Sequence, residues 1–364
     1  MRLALQLAKR GHGATSPNPM VGAVLMKGGK IIGRGWHRRA SLPHAEIEAL
    51  HDAQKRGHSP RDATLYVTLE PCCTHGRTPP CTDAIITAGI KKIIVGATDL
   101  NPKHAGKGIK ILRRAGIEVV HGILGDECAK LNEAFNHWIV HRTPFVTVKA
   151  AMTVDGKIAT ASGESKWITG EKARAHGMKL RRGNDAILVG INTILADNPS
   201  LTARSQNKNL RPRRIVLDSL ARTPLAAKVA GDEFAVLTTI VIGKRAPKNR
   251  VAALAKRVKV LVAPMTNSKP DLKWLLKKLG AENVTSLLVE GGGEVNASFL
   301  LGGLARRAAF FYAPKILGGR DSRKAVAGDG VKSLSEAIQL REIEWKRIGG
   351  DLLMTALVAN GGKK

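Results

Sequence analysis

The chain has 364 residues, 43% of them hydrophobic but only 4% aromatic, so two domains are expected, with cores built mainly from Val, Ile, Leu and Ala. The formal net charge is +30, which invites an anionic partner. The basic residues are scattered, however, and the concentrations at Arg211, Arg213 and Arg214 and over 244–259 lack the interleaved aromatics of a single-strand binding platform, so most of the excess reads as solvated surface.

Residues 1–12 read as an amphipathic helix, too short for a signal peptide. Segments 21–26 and 30–36 flank Lys27-Gly28-Gly29 as a predicted hairpin. Pro43 is expected to open a helix running to Lys55. A strand follows at 63–69, a helix at 81–88 ending at Gly89, and a strand at 92–97. A helix at 107–115, a strand at 118–121 and a single helix over 126–140 complete a first α/β domain, residues 1–141. His141-Arg-Thr-Pro144 is a polar, proline-containing boundary. A second alternation fills 145–360. Strands are predicted at 145–150, 186–190, 215–218, 234–242, 258–262 and 286–290, with closing strands at 310–313 and 352–358. Helices are expected near 171–182, 249–256, 271–279 and 294–302, and a loop over 198–213. Alternating strands and helices in both halves give an α/β class. No apolar run approaches the ~20 residues that span a bilayer, so a cytoplasmic protein without a membrane partner is expected.

Chemistry concentrates in two segments, Pro43-His44-Ala45-Glu46 and Glu70-Pro71-Cys72 followed by Cys81. Three of the four cysteines fall within 72–81, which suits a metal better than a disulfide framework. A catalytic zinc takes three protein ligands and keeps a place for water; His44, Cys72 and Cys81 supply one imidazole and two thiolates. Glu46 is then left to carry protons between water, ring nitrogen and leaving amine. Residues two apart on a helix point roughly 200° apart, so His44 and Glu46 share a site only at a helix mouth. Cys81 is expected to open a helix too, where the dipole favours thiolate. The alternative is a closed zinc site with Cys73 or His75 as fourth ligand, which leaves Glu46 idle. Cys73 and Cys128 otherwise read as structural, and His51, His58, His104 and His121 carry no ligand spacing.

His-x-Glu followed by Pro-Cys and a second Cys is the pattern of zinc nucleobase deaminases. The eight residues between Cys72 and Cys81 are a long insertion for that class. With Pro17-Asn18-Pro19-Met20-Val21-Gly22, Asp99-Leu-Asn-Pro102 and Gly106-Lys-Gly108, the first half resembles the pyrimidine deaminase domain of the bifunctional riboflavin-biosynthesis deaminase–reductases. The resemblance implies release of ammonia from a diaminopyrimidinone carrying ribosylamine 5-phosphate. Asn18 is either near the base or a turn residue before Pro19. His75 and Arg77 either touch the substrate or are solvated.

In the second half, Val289-Glu290-Gly291-Gly292-Gly293-Glu294 turns a strand into a helix. Such a turn lets phosphate reach backbone N–H groups, although the spacing is not that of a dinucleotide fingerprint and a plain tight turn is the alternative. Residues 148–159, 162–169, 195–204, 215–219 and 289–293 are similar to the reductase half of the same family. An α/β chain is thereby implied, with a cytidine-deaminase-like N-terminal domain (mixed sheet, flanking helices) and a dihydrofolate-reductase-like C-terminal domain. The implied cofactors are Zn2+ and NADPH. The resemblance puts NADPH against Ala150, Trp167, Thr193, Asp197, Ser219 and the turn Gly292, Gly293, Glu294, Val295, Asn296, Ala297 and Ser298. It puts the phosphorylated pyrimidine substrate against Ser165, Arg181, Leu201, Arg204 and Glu290; the two arginines suit a sugar phosphate. The competing readings are a nucleic-acid-acting zinc deaminase, which the charge favours and the long insertion opposes, and a zinc-stabilised binding protein. No nucleic-acid partner is expected, and a homo-oligomer is left open.

Overall fold

A computed structural model describes residues 1–75, 79–203 and 211–359; Arg77 and Arg204 lie outside them. The chain divides into two compact units, Met1–Arg142 and Thr143–Lys364.

The first unit runs α1 (Arg2–Ala8), β1 (Gly22–Lys27), β2 (Lys30–Trp36), α2 (Ala45–Lys55), β3 (Thr64–Leu69), α3 (Cys81–Thr87), β4 (Lys92–Ala97), α4 (Lys107–Arg114), β5 (Glu118–His121), α5 (Gly125–Leu131) and α6 (Glu133–His141). Its sheet has the order β2-β1-β3-β4-β5, antiparallel over the first three strands and parallel over the last three. Gly28 and Gly29 take φ of 55° and 75°, the positive values a two-residue hairpin turn demands. Gly35 matters more for the site. A Cβ there would lie 2.2 Å from the Ala45 carbonyl oxygen, so only glycine lets the start of α2 rest directly on β2. Ala45, Ala49 and Ala53 on α2 complete that contact from the helix side and are fully buried.

Two expectations are corrected here. Pro43 precedes the helix rather than opening it: His44 is the N-cap, in extended conformation, and Glu46 stands in the first turn. The expected helix over 126–140 is broken at Asn132. Its side chain accepts from the Met20 N–H (2.7 Å) and donates to the Met20 carbonyl (2.9 Å). A bidentate bond to the segment just before β1 outweighs one more turn of helix, whose value is small. The bend swings α6 so that Phe135, Trp138 and Ile139 wall a pocket.

The second unit runs β6 (Phe145–Thr153), β7 (Lys157–Ala159), α7 (Glu171–Arg182), β8 (Ala186–Gly190), α8 (Ile191–Asp197), β9 (Arg213–Leu217), α9 (Lys228–Gly231), β10 (Thr238–Ile242), α10 (Lys248–Ala255) and β11 (Lys259–Val262). Then follow β12 (Met265–Thr266), β13 (Lys269–Pro270), α11 (Leu272–Ala281), β14 (Ser286–Val289), α12 (Gly293–Leu300), β15 (Arg307–Ala313), β16 (Arg323–Lys324), β17 (Leu340–Ile348) and β18 (Asp351–Val358). Nine strands make one sheet, β11-β10-β9-β8-β14-β6-β15-β18-β17, parallel from β11 to β15 and antiparallel beyond. The central strands are buried on both faces, which explains the unbroken apolar run of residues 186–189. One face packs Leu188, Ile215 and Leu287 against Leu275 and Phe299; the other packs Ile187, Val216 and Ile240 against Ile194 and Leu254. The α/β class holds in both units.

The expected strand 234–242 begins only at Thr238, after a tight helical turn over Ala235–Leu237. α8, the β12–β13 hairpin and β17 were not foreseen. β17 is exposed along most of its length, so it has neither the apolar run nor the clear alternation that marks a half-buried strand.

The basic cluster at 211–214 is also corrected. Arg214 is 1% exposed. It holds Asp232 through two bonds of 2.7 and 2.8 Å and donates to Thr238 Oγ1 and the carbonyls of Ser200 and Val229. Arg213 pairs with Glu282 at 2.7 Å, and Arg211 stacks on Phe234. These charges tie the unit together rather than present a patch. Arg214→Ala should therefore destabilise the second unit by about 3–5 kcal/mol, the usual loss when one partner of a buried pair is removed. Arg211→Ala should cost under about 1 kcal/mol. Urea unfolding of both variants checks this; equal midpoints would refute it.

Candidate functional site

Three segments meet at one end of the first sheet. The N-cap of α2 brings His44, the loop after β3 brings Cys72, and the first residue of α3 is Cys81. Nδ1 of His44 and both Sγ atoms lie within 4.8 Å of one another. His44 Nδ1 is 3.3 Å from Cys81 Sγ and 3.5 Å from Cys72 Sγ. A tetrahedral zinc with bonds of about 2.0–2.1 Å to nitrogen and 2.3 Å to sulfur needs N···S edges of about 3.5 Å, so this donor set fits the ion. Cys73 is not in the cluster; its Sγ is 3.6 Å from Nδ1 of His104. His75 is exposed.

The site's charges are strongly coupled. Contact with Cys81, aided by His44, draws Cys72 down to about 4 although burial opposes it. Cys81 is pushed well above its ordinary value by the same contact and by burial. The Cys72 contact also raises His44. Glu46 is 3% exposed, and burial followed by the Cys72 charge pushes its carboxyl up to about 7.

A cavity of about 270 Å³ opens over these groups. Asn18, His37, His44, Glu46, Cys72 and Asn101 are among its walls. Asn18 Nδ2 and His37 Nε2 are 3.1 Å apart, and His37 Nδ1 is 3.1 Å from the Pro43 carbonyl. Sequence reasoning named Asn18 but not His37, and it quoted Asp99 and Asn101 without a role. Asp99, Asn101 and His104 reach the cavity from the loop after β4. The one available clue was position, since ligands gather at the carboxyl ends of parallel strands.

That loop is held by a carboxylate that the sequence reading also left without a role. Glu70 is 3% exposed and accepts from the N–H groups of Asp99 (3.2 Å), Gly106 (2.9 Å) and Ile109 (3.3 Å). It caps α4 from a distance and fixes the pocket's far wall.

In the second unit a larger cavity, about 980 Å³, lies at the carboxyl ends of β8, β9 and β14. Thr193, Asp197, Gly292, Gly293, Glu294, Val295, Ser298 and Ser165 line it. Gly292 caps α12 without a side chain, and a Cβ there would meet no atom within 4 Å. The first turn of a helix leaves N–H groups without intrahelical partners, so this open glycine turn fits a pyrophosphate. The chemistry of the donor set therefore suits a dinucleotide.

The other expected residues fall elsewhere. Ala150, Asn296 and Ala297 are buried. Ser219 follows β9, and its carbonyl accepts from Gly243. Trp167 is 64% exposed, with Arg174 stacked 4.5 Å from its ring centre. The Leu201 side chain is packed in the core, leaving only its main chain for a ligand. Arg181 and Glu290 meet each other: Nε is 3.2 and 3.1 Å from the two carboxylate oxygens, and Nη1 donates to the Thr202 carbonyl. Burial would push Glu290 up, but Arg181 and Lys149 outweigh it and hold the carboxyl below its ordinary value.

Two family models match the chain: the "cytidine and deoxycytidylate deaminase zinc-binding region" over residues 1–97 and the "RibD C-terminal domain" over 144–354. The riboflavin biosynthesis protein RibD of Actinobacillus pleuropneumoniae is 45% identical, over 98% of this chain and 94% of its own. That of Aquifex aeolicus is also 45% identical, over 97% and 96%. Among solved structures, a diaminohydroxyphosphoribosylaminopyrimidine deaminase/5-amino-6-(5-phosphoribosylamino)uracil reductase from Thermotoga maritima superposes with a TM-score of 0.84 at 35% identity. It covers 99% of this chain and 97% of its own. RibD of Acinetobacter baumannii gives 0.86 at 35%, over 98% and 97%.

The three-donor cluster predicts a single zinc per chain. His44→Ala, Cys72→Ser and Cys81→Ser should each lose the metal, while Cys73→Ala and His75→Ala should keep it. Metal analysis after dialysis reads the outcome, and zinc loss in either of the last two variants would indicate a closed, four-ligand site.

Proposed function

The chain belongs to the RibD family of riboflavin-biosynthesis proteins, and we propose on that premise how its two units divide two successive reactions. The enzyme is a zinc-dependent deaminase and an NADPH-dependent reductase in one chain. Residues 1–141 are assigned hydrolytic deamination of 2,5-diamino-6-(5-phosphoribosylamino)pyrimidin-4-one. Residues 145–360 are assigned reduction of the ribosyl side chain to ribityl.

The observation that carries the first assignment is Glu46, a buried carboxyl beside a complete metal-donor cluster that does not need it as a ligand. His44, Cys72 and Cys81 would hold zinc, which supplies Lewis acidity and makes water nucleophilic at neutral pH. Glu46 takes a proton from the water as its oxygen bonds to the ring carbon bearing the amine. It returns the proton to the ring nitrogen, then moves one to the amine, so that the C–N bond breaks and ammonia leaves. A buried carboxyl that burial holds above its ordinary value is suited to take and give a proton. His37, Asn18 and Asn101 offer polar edges to the heterocycle, and Trp138 and Phe135 exclude water.

In the second unit NADPH, when bound, would supply hydride to the sugar carbon next to the amine. Thr193, Asp197 and the Gly292–Ser298 turn would hold it, together with Ala150, Trp167 and Ser219. Ser165, Arg181, the Leu201 main chain, Arg204 and Glu290 are assigned to the substrate. Glu290, kept ionised by Arg181, can orient a substrate hydroxyl or amine.

No helix among the described residues is long and apolar enough to cross a membrane. On this reading the enzyme works in the cytoplasm on a free phosphorylated pyrimidine, without a nucleic-acid partner, and a homo-oligomer is compatible with it. A nucleic-acid-acting deaminase would leave the second cavity without a task.

Glu46→Gln should keep zinc and fold but lose about 10²–10⁴-fold in ammonia release, while still oxidising NADPH when given the deaminated intermediate. Ammonia and NADPH followed separately decide this; wild-type deamination would remove Glu46 from the mechanism.

Gly292→Val should do the reverse, filling open space in the cofactor cavity while ammonia release persists. Its KM for NADPH should rise about tenfold or more, equivalent to a loss of about 1.4 kcal/mol. An unchanged KM would exclude the turn from the cofactor site.

A further inference from the structure

The first unit holds a second cavity, of about 280 Å³, that shares no lining residue with the catalytic one and has no task in the reactions assigned above. It runs along the free edge of the sheet, where β2 is the outer strand, between α1 and α2. Alternation along β2 turns Gly33 and Gly35 toward α2 and sets Arg34 and Trp36 on the side of α1. Leu3 and Leu7 of α1 pack in one cluster with Trp36 and give the cavity an apolar wall.

The charges in this cavity do not balance. Asp52 accepts from Arg56 Nε at 3.0 Å and from the N–H of Arg34 at 2.8 Å, and Glu48 pairs with Arg38 at 3.2 Å. Among the described residues no other carboxylate lines it, and Arg10, Lys55 and the guanidinium of Arg34 are left without an ion pair. A concave surface lined by uncompensated charge of one sign concentrates counter-ions. Two of the guanidinium groups are also held in place. Cζ of Arg10 is 5.0 Å and that of Arg38 4.6 Å from the centre of the Trp36 ring. Stacking on an aromatic face orients the guanidinium plane and leaves its edge donors for a ligand, where they can take two oxygens of one phosphate at once. Arg38 turns part of its edge to Glu48, and Arg10 keeps the whole of its own.

The volume equals that of the catalytic cavity, about 270 Å³, so a single phosphate ion would leave most of it unused. Walls formed by a helix on either side admit a small molecule and keep a nucleic-acid duplex at the rim.

We propose that this cavity is a second ligand site of the first unit, for a small molecule carrying a diphosphate or two closely spaced phosphates. Arg10, Arg34 and Lys55 hold the phosphates, and Trp36 and Leu7 lie against the less polar part. The site is separate from those assigned to substrate and cofactor, and it stands or falls independently of that assignment.

The test uses the full zinc-loaded chain labelled with fluorotryptophan, with inorganic pyrophosphate as the probe and fluorine NMR as the readout. The chain has five tryptophans, and the line of Trp36 is identified by its loss in Trp36→Phe. That line reports this cavity alone, so pyrophosphate held at the glycine turn of the second unit does not enter the reading. Pyrophosphate should move it saturably. Arg34 is exposed and its guanidinium supports no other group, so Arg34→Ala should fold normally. It should weaken the titration about 10–100-fold, the range of a charge-assisted bond, and Arg34→Lys should recover part of the loss. Lys30→Ala, on the hairpin outside the cavity, should change it less than about threefold, since salt screens a distant surface charge. A Trp36 line that pyrophosphate does not move would overturn the proposal. An equal loss in Lys30→Ala would do the same, because the attraction would then belong to the basic surface as a whole. So would a short DNA duplex that moves the line at lower concentration than pyrophosphate, which would make the cavity part of a nucleic-acid surface.

Discussion

Three donor atoms from three separate segments must reach one point for the first unit to hold its metal, and much of its local architecture serves that requirement. Gly35 lets the start of α2 sit on β2, which sets His44 and Glu46 at the sheet's end. Cys81 is the first residue of α3, where unpaired N–H groups favour a thiolate. Its own N–H lies 3.4 Å from Cys72 Sγ, so one cysteine's backbone helps to hold the other's charge. Glu70, the neighbour of Pro71 and Cys72, turns away from the metal and ties down the loop that bears Asp99 and Asn101. The segment Glu70–Cys72 thus builds two walls of one pocket, with a carboxylate on one side and a ligand on the other.

The second unit solves a different problem. The cavity proposed for its cofactor is spread over three strand ends instead of being gathered at a point. Strand ends and helix starts supply main-chain donors, which need no particular side chain, and on the proposed assignment the turn at Gly291–Gly293 offers them. Asp218 shapes the loop beside that cavity. It is buried, and both its oxygens accept from that loop, at Arg222 and Thr223.

The +30 charge takes on a different meaning once the arginines are placed. Arg214, Arg250 and Arg257 donate to main-chain carbonyls within the second unit, and Arg181 and Arg213 are paired with glutamates. Guanidinium groups carry five donors and bury more readily than ammonium groups. In a chain with few aromatics they stitch loops that larger apolar side chains would otherwise pack. Part of the basic excess is therefore structural, and it does not by itself imply a polyanionic partner.

The sequence by itself marked the metal-donor cluster and the carboxylate beside it. His44, Glu46, Cys72 and Cys81 were legible because ligand type and spacing are local properties, and the strand–helix alternation of both halves followed from hydrophobic period. It also located the glycine turn that opens the larger cavity. Tertiary structure decided what depends on partners far along the chain. The helix expected over 126–140 is broken at Asn132, whose side chain bonds Met20 far back along the chain. Arg214 looks like surface charge until Asp232 and Thr238 enclose it. His37 and Glu70 carry no spacing that marks them, because their places come from which strand ends the sheet brings side by side. That order is set by packing over the whole unit, and no short stretch of sequence encodes it.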